Sequence, residues 1–181
     1  MSSRQEKSLR LNEDHQIERL LFRENGMIPN NPDLPVILYR GVFDRNESDV
    51  AASLEGLFSQ TGWPPAWRNG VYQFHHYHSN AHEVLGFAKG SADLILGGEG
   101  GTAVRVEAGD IALLPAGTGH YRLSCTDDFL VVGAYPPGQS PDLRRQAPSD
   151  QERQNIKAVP LPETDPVLGA TGPVHAYWHS R

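Results

Sequence analysis

The 181-residue sequence predicts a single all-β domain that closes into a barrel. Short runs of aliphatic and β-branched residues alternate with turns rich in glycine and proline, which is the spacing of a hairpin meander. The length is enough for one domain with a single sizeable core. The chain has 18 glycines and 14 prolines, as turn-rich β folds do. The functional prediction depends on a cluster of histidines near the middle of the chain.

The predicted elements are mostly strands, with one clear helix between the second and third. We expect strands at residues 17–22, 36–40, 71–78, 83–88, 92–96, 102–107, 111–114, 121–125 and 129–135. The helix would begin after a cap at Asn46 and end at Gly62, with an apolar stripe that packs on the outside of the barrel. The segment 63–67 is a stiff link, which either plugs the space beside the helix or forms a wall of the substrate site.

Four segments divide the chain. Residues 1–16 are a polar N-terminal tail, and residues 17–69 hold the N-terminal strands and the helix packed on the barrel. Residues 70–136 form the barrel core with the site. Residues 137–181 are a C-terminal extension with a short helix at 150–157, and we expect it to wrap over the barrel or a partner subunit of a homodimer.

Charge and hydropathy exclude several classes of partner. The formal charge is -6, and Arg144 and Arg145 are the only basic pair of note, so we expect neither nucleic acid nor an anionic membrane as a partner. No apolar run approaches the roughly 20 residues that span a bilayer, which predicts a cytoplasmic protein. Cys125 is the single cysteine, and we expect it to be buried rather than reactive.

Four histidines lie within eight residues, at positions 75, 76, 78 and 82. In a strand, alternate side chains share a face, so His76 and His78 would project together and His75 away from them. After the turn at 79–81, Glu83 begins the next strand of a predicted hairpin, and the bend at 115–119 delivers His120. Three imidazoles and one carboxylate would suit a single first-row divalent ion, Fe, Mn, Ni, Zn or Co, with positions left open for ligands.

The spacing of these residues resembles the two motifs of the cupin superfamily, whose members are jelly-roll barrels. The first motif is matched by Gly70, five residues, His76-Tyr77-His78, four residues, Glu83, six residues and Gly90. The second is matched by Gly109, five residues, Pro115-Ala116-Gly117, two residues and His120. Ser124 stands where the family usually has an asparagine. The resemblance implies a cupin barrel that holds one metal ion at His76, His78, Glu83 and His120.

A closer resemblance extends from about Ile17 onward. The segments 24–32, 34–36, 82–86 and 132–136 are similar to the YjlB-like group of bacterial cupins, for which we know of no assigned reaction. This resemblance therefore implies the fold and the ligands but no substrate.

Alternatives remain for each of these residues. The three imidazoles could be structural histidines of a cupin that has lost its metal, and a register moved by one residue would place His82 inward in place of Glu83. His75 would pack on the outer face or orient another group by a hydrogen bond. Tyr72 and Phe74 share the inward face with the ligands, as pocket walls or as core aromatics.

Arg122 lies two residues after His120 on the same face of its strand, where a barrel more usually has an apolar side chain. An unpaired inward guanidinium is costly, so it would pair with Asp93, reach the barrel mouth, or bind a pocket carboxylate or an anionic substrate. Arg122 and Tyr72 are therefore the candidate catalytic residues.

Two functions fit the predicted site. The first is a metal-dependent enzyme, a dioxygenase or an isomerase, acting on a small oxygenated and anionic molecule. The second is a non-catalytic protein that binds or stores such a molecule through its metal. A dedicated acid or base beside the ligands would favour catalysis.

Overall fold

The computed structural model describes residues 9–179 and has the predicted all-β architecture. Two α-helices and a π-helical turn accompany the strands. The elements are β1 Gln16–Leu20, β2 Val36–Arg40, α1 Val50–Gln60, β3 Pro65–Asn69, β4 Glu83–Lys89, β5 Ser91–Leu96, β6 Thr102–Glu107, β7 Ile111–Leu114, β8 His120–Cys125, β9 Leu130–Ala134, α2 Asp150–Ala158 and the π-helical turn Val174–Trp178. The first eight residues of the predicted polar tail lie outside the described residues.

The strands form two antiparallel sheets that face each other. One sheet has six strands in the order β1-β2-β7-β4-β9-β3, and the other has three in the order β6-β5-β8. The strands β2, β6 and β7 begin and end where the sequence predicts. Strand β1 is an edge strand with four of its five residues exposed, and the homodimer stays a prediction.

Each face of the six-stranded sheet covers its own apolar cluster, because neighbouring residues of a strand point to opposite faces. In β2, Val36 and Leu38 belong to the cluster between the two sheets. Ile37 and Tyr39 belong to the cluster on the outer face, under α1 and the C-terminal residues. The candidate metal-binding residues described below line a cavity between the sheets.

Helix α1 packs on the outer face of the sheet, where the sequence places it, but its cap differs from the predicted one. Asp49, not Asn46, caps the helix, since its carboxylate accepts a hydrogen bond from the Ala52 N–H at 3.0 Å. The packing of α1 on β4 is close at Gly86. A Cβ atom there would lie 2.7 Å from a Leu54 methyl carbon, so only glycine fits this contact.

Residues of the C-terminal segment complete the outer cluster. The Trp178 and Val174 side chains are fully buried in it, and the Trp178 indole donates a hydrogen bond to the Pro35 carbonyl at 3.0 Å. The Tyr39 hydroxyl donates to the Asp165 carboxylate at 2.7 Å. The outer face of the sheet is therefore covered by the helix and the C-terminal segment together.

Two further local predictions are wrong, and a third holds only in part. Residues 71–78 form no regular strand and do not pair with β4; they run beside β8 instead, with His76 and His120 exchanging backbone hydrogen bonds of 3.0 and 3.3 Å. The stiff link after α1 is in part a strand, β3, which pairs with β9. Cys125 is exposed, as are the two residues before it at the C-terminal end of β8. Within residues 9–179, the structure has no helix with the length and apolar character needed to cross a bilayer.

Candidate metal centre

A cavity of about 540 Å³ opens between the two sheets beside the start of β8. Its size is within the range of small-molecule sites in proteins. The candidate ligands line it together with aromatic, polar and apolar residues: Trp67, Asn69, Gly70, Val71, Tyr72, Gln73, Leu85, Arg122, Tyr135, Pro141, Asp142 and Leu143.

Three imidazoles converge in this cavity. His120 begins β8, His76 is held against it by the backbone pairing, and His78 follows two residues later. One ring nitrogen of each histidine lies within 4.8 Å of the corresponding nitrogens of the other two. The predicted grouping of His76, His78 and His120 is therefore present, although the segment that carries the first two is not a regular strand.

Backbone carbonyls fix the tautomer of all three neutral rings. The Nδ1 atoms of His76 and His120 lie 3.0 Å from the carbonyl oxygens of Phe74 and Thr118, and His78 Nδ1 contacts the carbonyl of Asp142. A carbonyl can only accept, so Nδ1 carries the proton, and in the neutral ring the Nε2 lone pair is free. This is the arrangement in which histidines bind metals.

Glu83 reaches the same point from the opposite sheet, at the first residue of β4. Its Oε1 atom lies 3.4 Å from His78 Nε2 and 3.3 Å from His120 Nε2. Its Oε2 atom accepts a hydrogen bond of 2.8 Å from the Tyr135 hydroxyl, which itself accepts one of 2.8 Å from the Trp67 indole. One carboxylate oxygen is therefore held by a hydrogen bond, and the other faces the imidazoles.

Burial and mutual charge set the protonation of the ligands. Burial opposes ionisation of Glu83, but the neighbouring His78 and His120 hold the pKa of this carboxyl below its usual range. Burial and the charge of His120 lower the pKa of His76 to about 2. Burial also lowers the pKa of His78, but the Glu83 carboxylate overcomes this and raises it. The group therefore combines an anionic carboxylate with an imidazole that stays neutral at physiological pH.

His82 does not replace Glu83. Its ring packs against Trp178 with the centroids 4.9 Å apart, and its Nδ1 atom accepts a hydrogen bond of 2.9 Å from the Ala116 N–H. Burial lowers the pKa of His82 to about 4. His82 is therefore a neutral core residue on the outer side of the sheet, and the register with Glu83 inward is the one adopted.

The remaining predicted residues lie around the cavity. Arg122 lines it, and Asp93 is not its partner, because Asp93 pairs with Arg105 at 3.0 Å. Tyr72 is half exposed at the mouth, where its ring stacks on Phe74 and meets His76 edge-on with the centroids 5.2 Å apart. His75 points away from the cluster and stacks on Tyr121. The catalytic roles of Arg122 and Tyr72 stay predictions.

Sequence reasoning missed three contributors. Tyr135 and Trp67 support Glu83, and Asp142 supports His78 through its carbonyl. The Asp142 carboxylate is in turn held by the Ser79 backbone N–H at 2.7 Å and by the Arg144 guanidinium at 3.0 Å. All three lie outside the motif that contains the ligand they support, so motif spacing holds no information about them.

The donor set fits a divalent transition metal. Imidazole nitrogens and a carboxylate oxygen suit first-row ions, and the hydrogen-bonded Nδ1 atoms and Oε2 leave one free donor on each ligand, pointing inward. Four protein ligands on one side of an open cavity would leave coordination positions for water or a substrate.

No protein-family model matches the chain. The uncharacterised protein YjlB of Bacillus subtilis strain 168 is 36% identical over 167 residues, which cover 91% of this chain and 98% of YjlB.

Three solved structures overlap with parts of the chain. A DUF861-family protein from Thermotoga maritima covers 46% of this chain and 88% of its own at 21% identity and a TM-score of 0.31. Acireductone dioxygenase from Bacillus anthracis, with cadmium in its active centre, covers 60% and 54% at 20% identity and a TM-score of 0.31. Bacillus subtilis oxalate decarboxylase, with Mn(II) centres, covers 70% and 29% at 17% identity and a TM-score of 0.27.

The family of the chain follows from YjlB, from the two motifs and from the two facing sheets. The sequence match spans nearly all of both chains, and both motifs lie at one cavity of the fold. The chain therefore belongs to the YjlB-like family of cupins.

Proposed function

We propose that this protein is a metal-dependent enzyme of the dioxygenase or isomerase type, acting on a small oxygenated, anionic molecule. One observation carries the proposal. Four side chains meet at one point of a cavity that is large enough for a small molecule. Three are imidazoles whose Nδ1 atoms contact backbone carbonyls, and the fourth is a carboxylate with one free oxygen. The Glu83 Oε1 atom lies 3.4 and 3.3 Å from the Nε2 atoms of His78 and His120, so these atoms can bind one cation together.

The proposed cofactor is one divalent ion, Fe, Mn, Ni, Zn or Co, held by His76, His78, Glu83 and His120. When bound, such an ion supplies a Lewis acid for an enolate, a keto acid or a sugar, and iron would add redox chemistry with dioxygen. The protein's own residues hold the ligands rigid, keep His76 neutral and present Tyr72 and Arg122 to the substrate.

The first test is elemental analysis of protein purified without a histidine tag and without chelators, together with an anomalous-scattering map. We expect about one transition-metal ion per chain, lying between the four side chains. His76→Gln should lose the metal, whereas His75→Gln should retain it, because His75 is adjacent in sequence but points away from the cluster. Full occupancy in His76→Gln, or none in the wild type, would contradict the proposal.

The second test separates catalysis from binding. Iron-loaded protein is offered a panel of keto acids, diketones and thiols while oxygen uptake is recorded, and sugars and keto acids are followed by NMR for isomerisation and proton exchange. Turnover that is lost in His76→Gln would support an enzyme. Tight binding of a panel member without turnover would favour the alternative, a non-catalytic protein that binds or stores its ligand through the metal.

A further inference from the structure

Arg122 lines the cavity without a charge partner among residues 9–179. No acidic side chain in this range forms an ion pair with it, and its buried Nε atom has no hydrogen-bond partner. The backbone of Arg122 pairs with β5, and its N–H donates a hydrogen bond of 2.9 Å to the Tyr72 carbonyl. A guanidinium donor that is removed from water without an acceptor costs free energy, so this side chain is poised for an acceptor from outside the chain.

The acids on the neighbouring strand and in the cavity lining have other partners. Asp93 on the neighbouring strand binds Arg105 and the Ser124 hydroxyl, at 3.0 and 2.9 Å. Within the cavity wall, Glu83 is held among the imidazoles, and Asp142 is held by Ser79 and Arg144. The cavity therefore offers one unneutralised guanidinium, which matches a single carboxylate better than a dianion such as phosphate.

The strand fixes the distance between Arg122 and the metal ligands. His120 and Arg122 lie two residues apart on β8, in a regular stretch where they pair with Leu96 and Leu94. Side chains at this spacing share a face and start about 6.6 to 6.8 Å apart. A molecule that reaches both the guanidinium and the imidazole cluster therefore has a carboxylate only a few bonds from a second oxygen.

We propose that Arg122 binds the carboxylate of a small hydroxy- or oxo-monocarboxylate, whose second oxygen occupies an open position of the metal. The inference rests on the proposed metal site and specifies the substrate class for it. The planar fork of the guanidinium donates two parallel hydrogen bonds to a carboxylate, and the Nε atom supplies one of them.

The first experiment compares acids with their neutral amides on cobalt-loaded protein, in a buffer free of carboxylates and phosphate. Lactate and pyruvate, with lactamide and pyruvamide as uncharged counterparts, are titrated by calorimetry and by the visible cobalt spectrum. We expect wild-type protein to prefer the acids by about 10-fold or more. Arg122→Gln should abolish the preference with the ligand-free cobalt spectrum unchanged, and Arg122→Lys should keep part of it.

Arg145→Gln is the matched control, because it removes one positive charge from a residue outside the cavity lining, where the Arg145 guanidinium lies over the Phe74 ring. It should retain the full preference. Equal binding of acids and amides by the wild type, an undiminished preference in Arg122→Gln, or stronger binding of inorganic phosphate than of lactate would each overturn the inference.

The second experiment uses metal-free protein, so that failure of the metal site and failure of this inference are distinguishable. The ¹⁵N-labelled Arg122 Nε–H signal, identified by its loss in Arg122→Lys, is followed during titration with lactate and lactamide. A saturable shift with lactate alone supports the carboxylate site, even if cobalt does not bind. No shift with lactate overturns the inference, even if cobalt binds.

Discussion

Two buried carboxylates occupy opposite faces of the six-stranded sheet, and they differ in how fully their oxygens are satisfied. Asp165, on the outer face, accepts four hydrogen bonds, from the Tyr39 hydroxyl and from three backbone N–H groups, at 2.7 to 3.1 Å. Glu83, on the inner face, has one oxygen bound to Tyr135 and the other facing imidazole nitrogens. A buried carboxylate whose two oxygens both accept hydrogen bonds has a structural role. A buried carboxylate with one oxygen free of such bonds is available to a cation.

The largest expected effect is on folding. Asp165→Ala leaves the Tyr39 hydroxyl and three N–H groups without their acceptor, so we expect the free energy of unfolding to fall by at least about 3 kcal/mol. Denaturant titration of metal-free protein measures this loss. Asp127→Ala, in an exposed turn, should change stability by less than about 0.5 kcal/mol. A small loss in Asp165→Ala would contradict the structural role.

Glu83→Gln should weaken metal binding more than it weakens the fold. Glutamine retains an acceptor for Tyr135 but loses the negative charge, so we expect metal affinity to fall by about 100-fold or more. Metal-free stability should fall by less than it does in Asp165→Ala. Competition with a chromophoric chelator measures the affinity, and Asp165→Asn, if it folds, should bind metal normally. Unchanged affinity in Glu83→Gln would remove this carboxylate from the site.

Tyr135→Phe should cause a smaller loss of metal affinity, because it removes only the hydrogen bond that orients Glu83. Loss of such a supporting group typically costs 10- to 100-fold in metal affinity, so we expect a value of about that size. Tyr72→Phe is the control, because Tyr72 lies at the mouth and does not contact Glu83 by a hydrogen bond among the described residues. Equal effects of the two substitutions would argue against a positioning role for Tyr135.

The smallest expected effect is on the pH dependence of the free energy of unfolding. Burial, and then the charge of Asp165, raises the pKa of Tyr39 well above its ordinary value of 10.0. The phenol therefore ionises in the unfolded chain first, and its contribution to stability is present below pH 10 and is lost as the pH rises further. Between pH 10 and 11, the wild type should lose up to about 1.4 kcal/mol more than Tyr39→Phe, measured by denaturant titration at each pH.

Strand periodicity and turn residues predict most of the fold, because buried strands such as β2 and β7 contain continuous apolar runs between clear breakers. The candidate ligands were predictable for a different reason, since they lie at fixed spacings within two short segments. The pairing of residues 71–78 was not predictable. It depends on backbone hydrogen bonds to β8, more than forty residues away, that no local pattern encodes.

Supporting residues form the other unpredicted part of the site. Tyr135, Trp67 and Asp142 act across sequence separations of 52 to 68 residues, through side-chain hydrogen bonds or through a carbonyl that any residue could supply. The sequence predicts a buried Cys125 on the face of its strand opposite to Arg122, yet the last three residues of β8 are all exposed. Such errors arise where tertiary context, not local sequence, decides exposure.

The origin of the four ligands has a mechanical consequence. The imidazoles belong to β8 and the segment beside it, whereas the carboxylate belongs to the opposite layer of the sandwich. An ion held by all four would cross-link the two layers. Its binding free energy would then oppose local unfolding at this end of the barrel. Amide protons of Glu83 and His120 would then exchange more slowly in the loaded protein, while those beneath helix α1 would be unaffected.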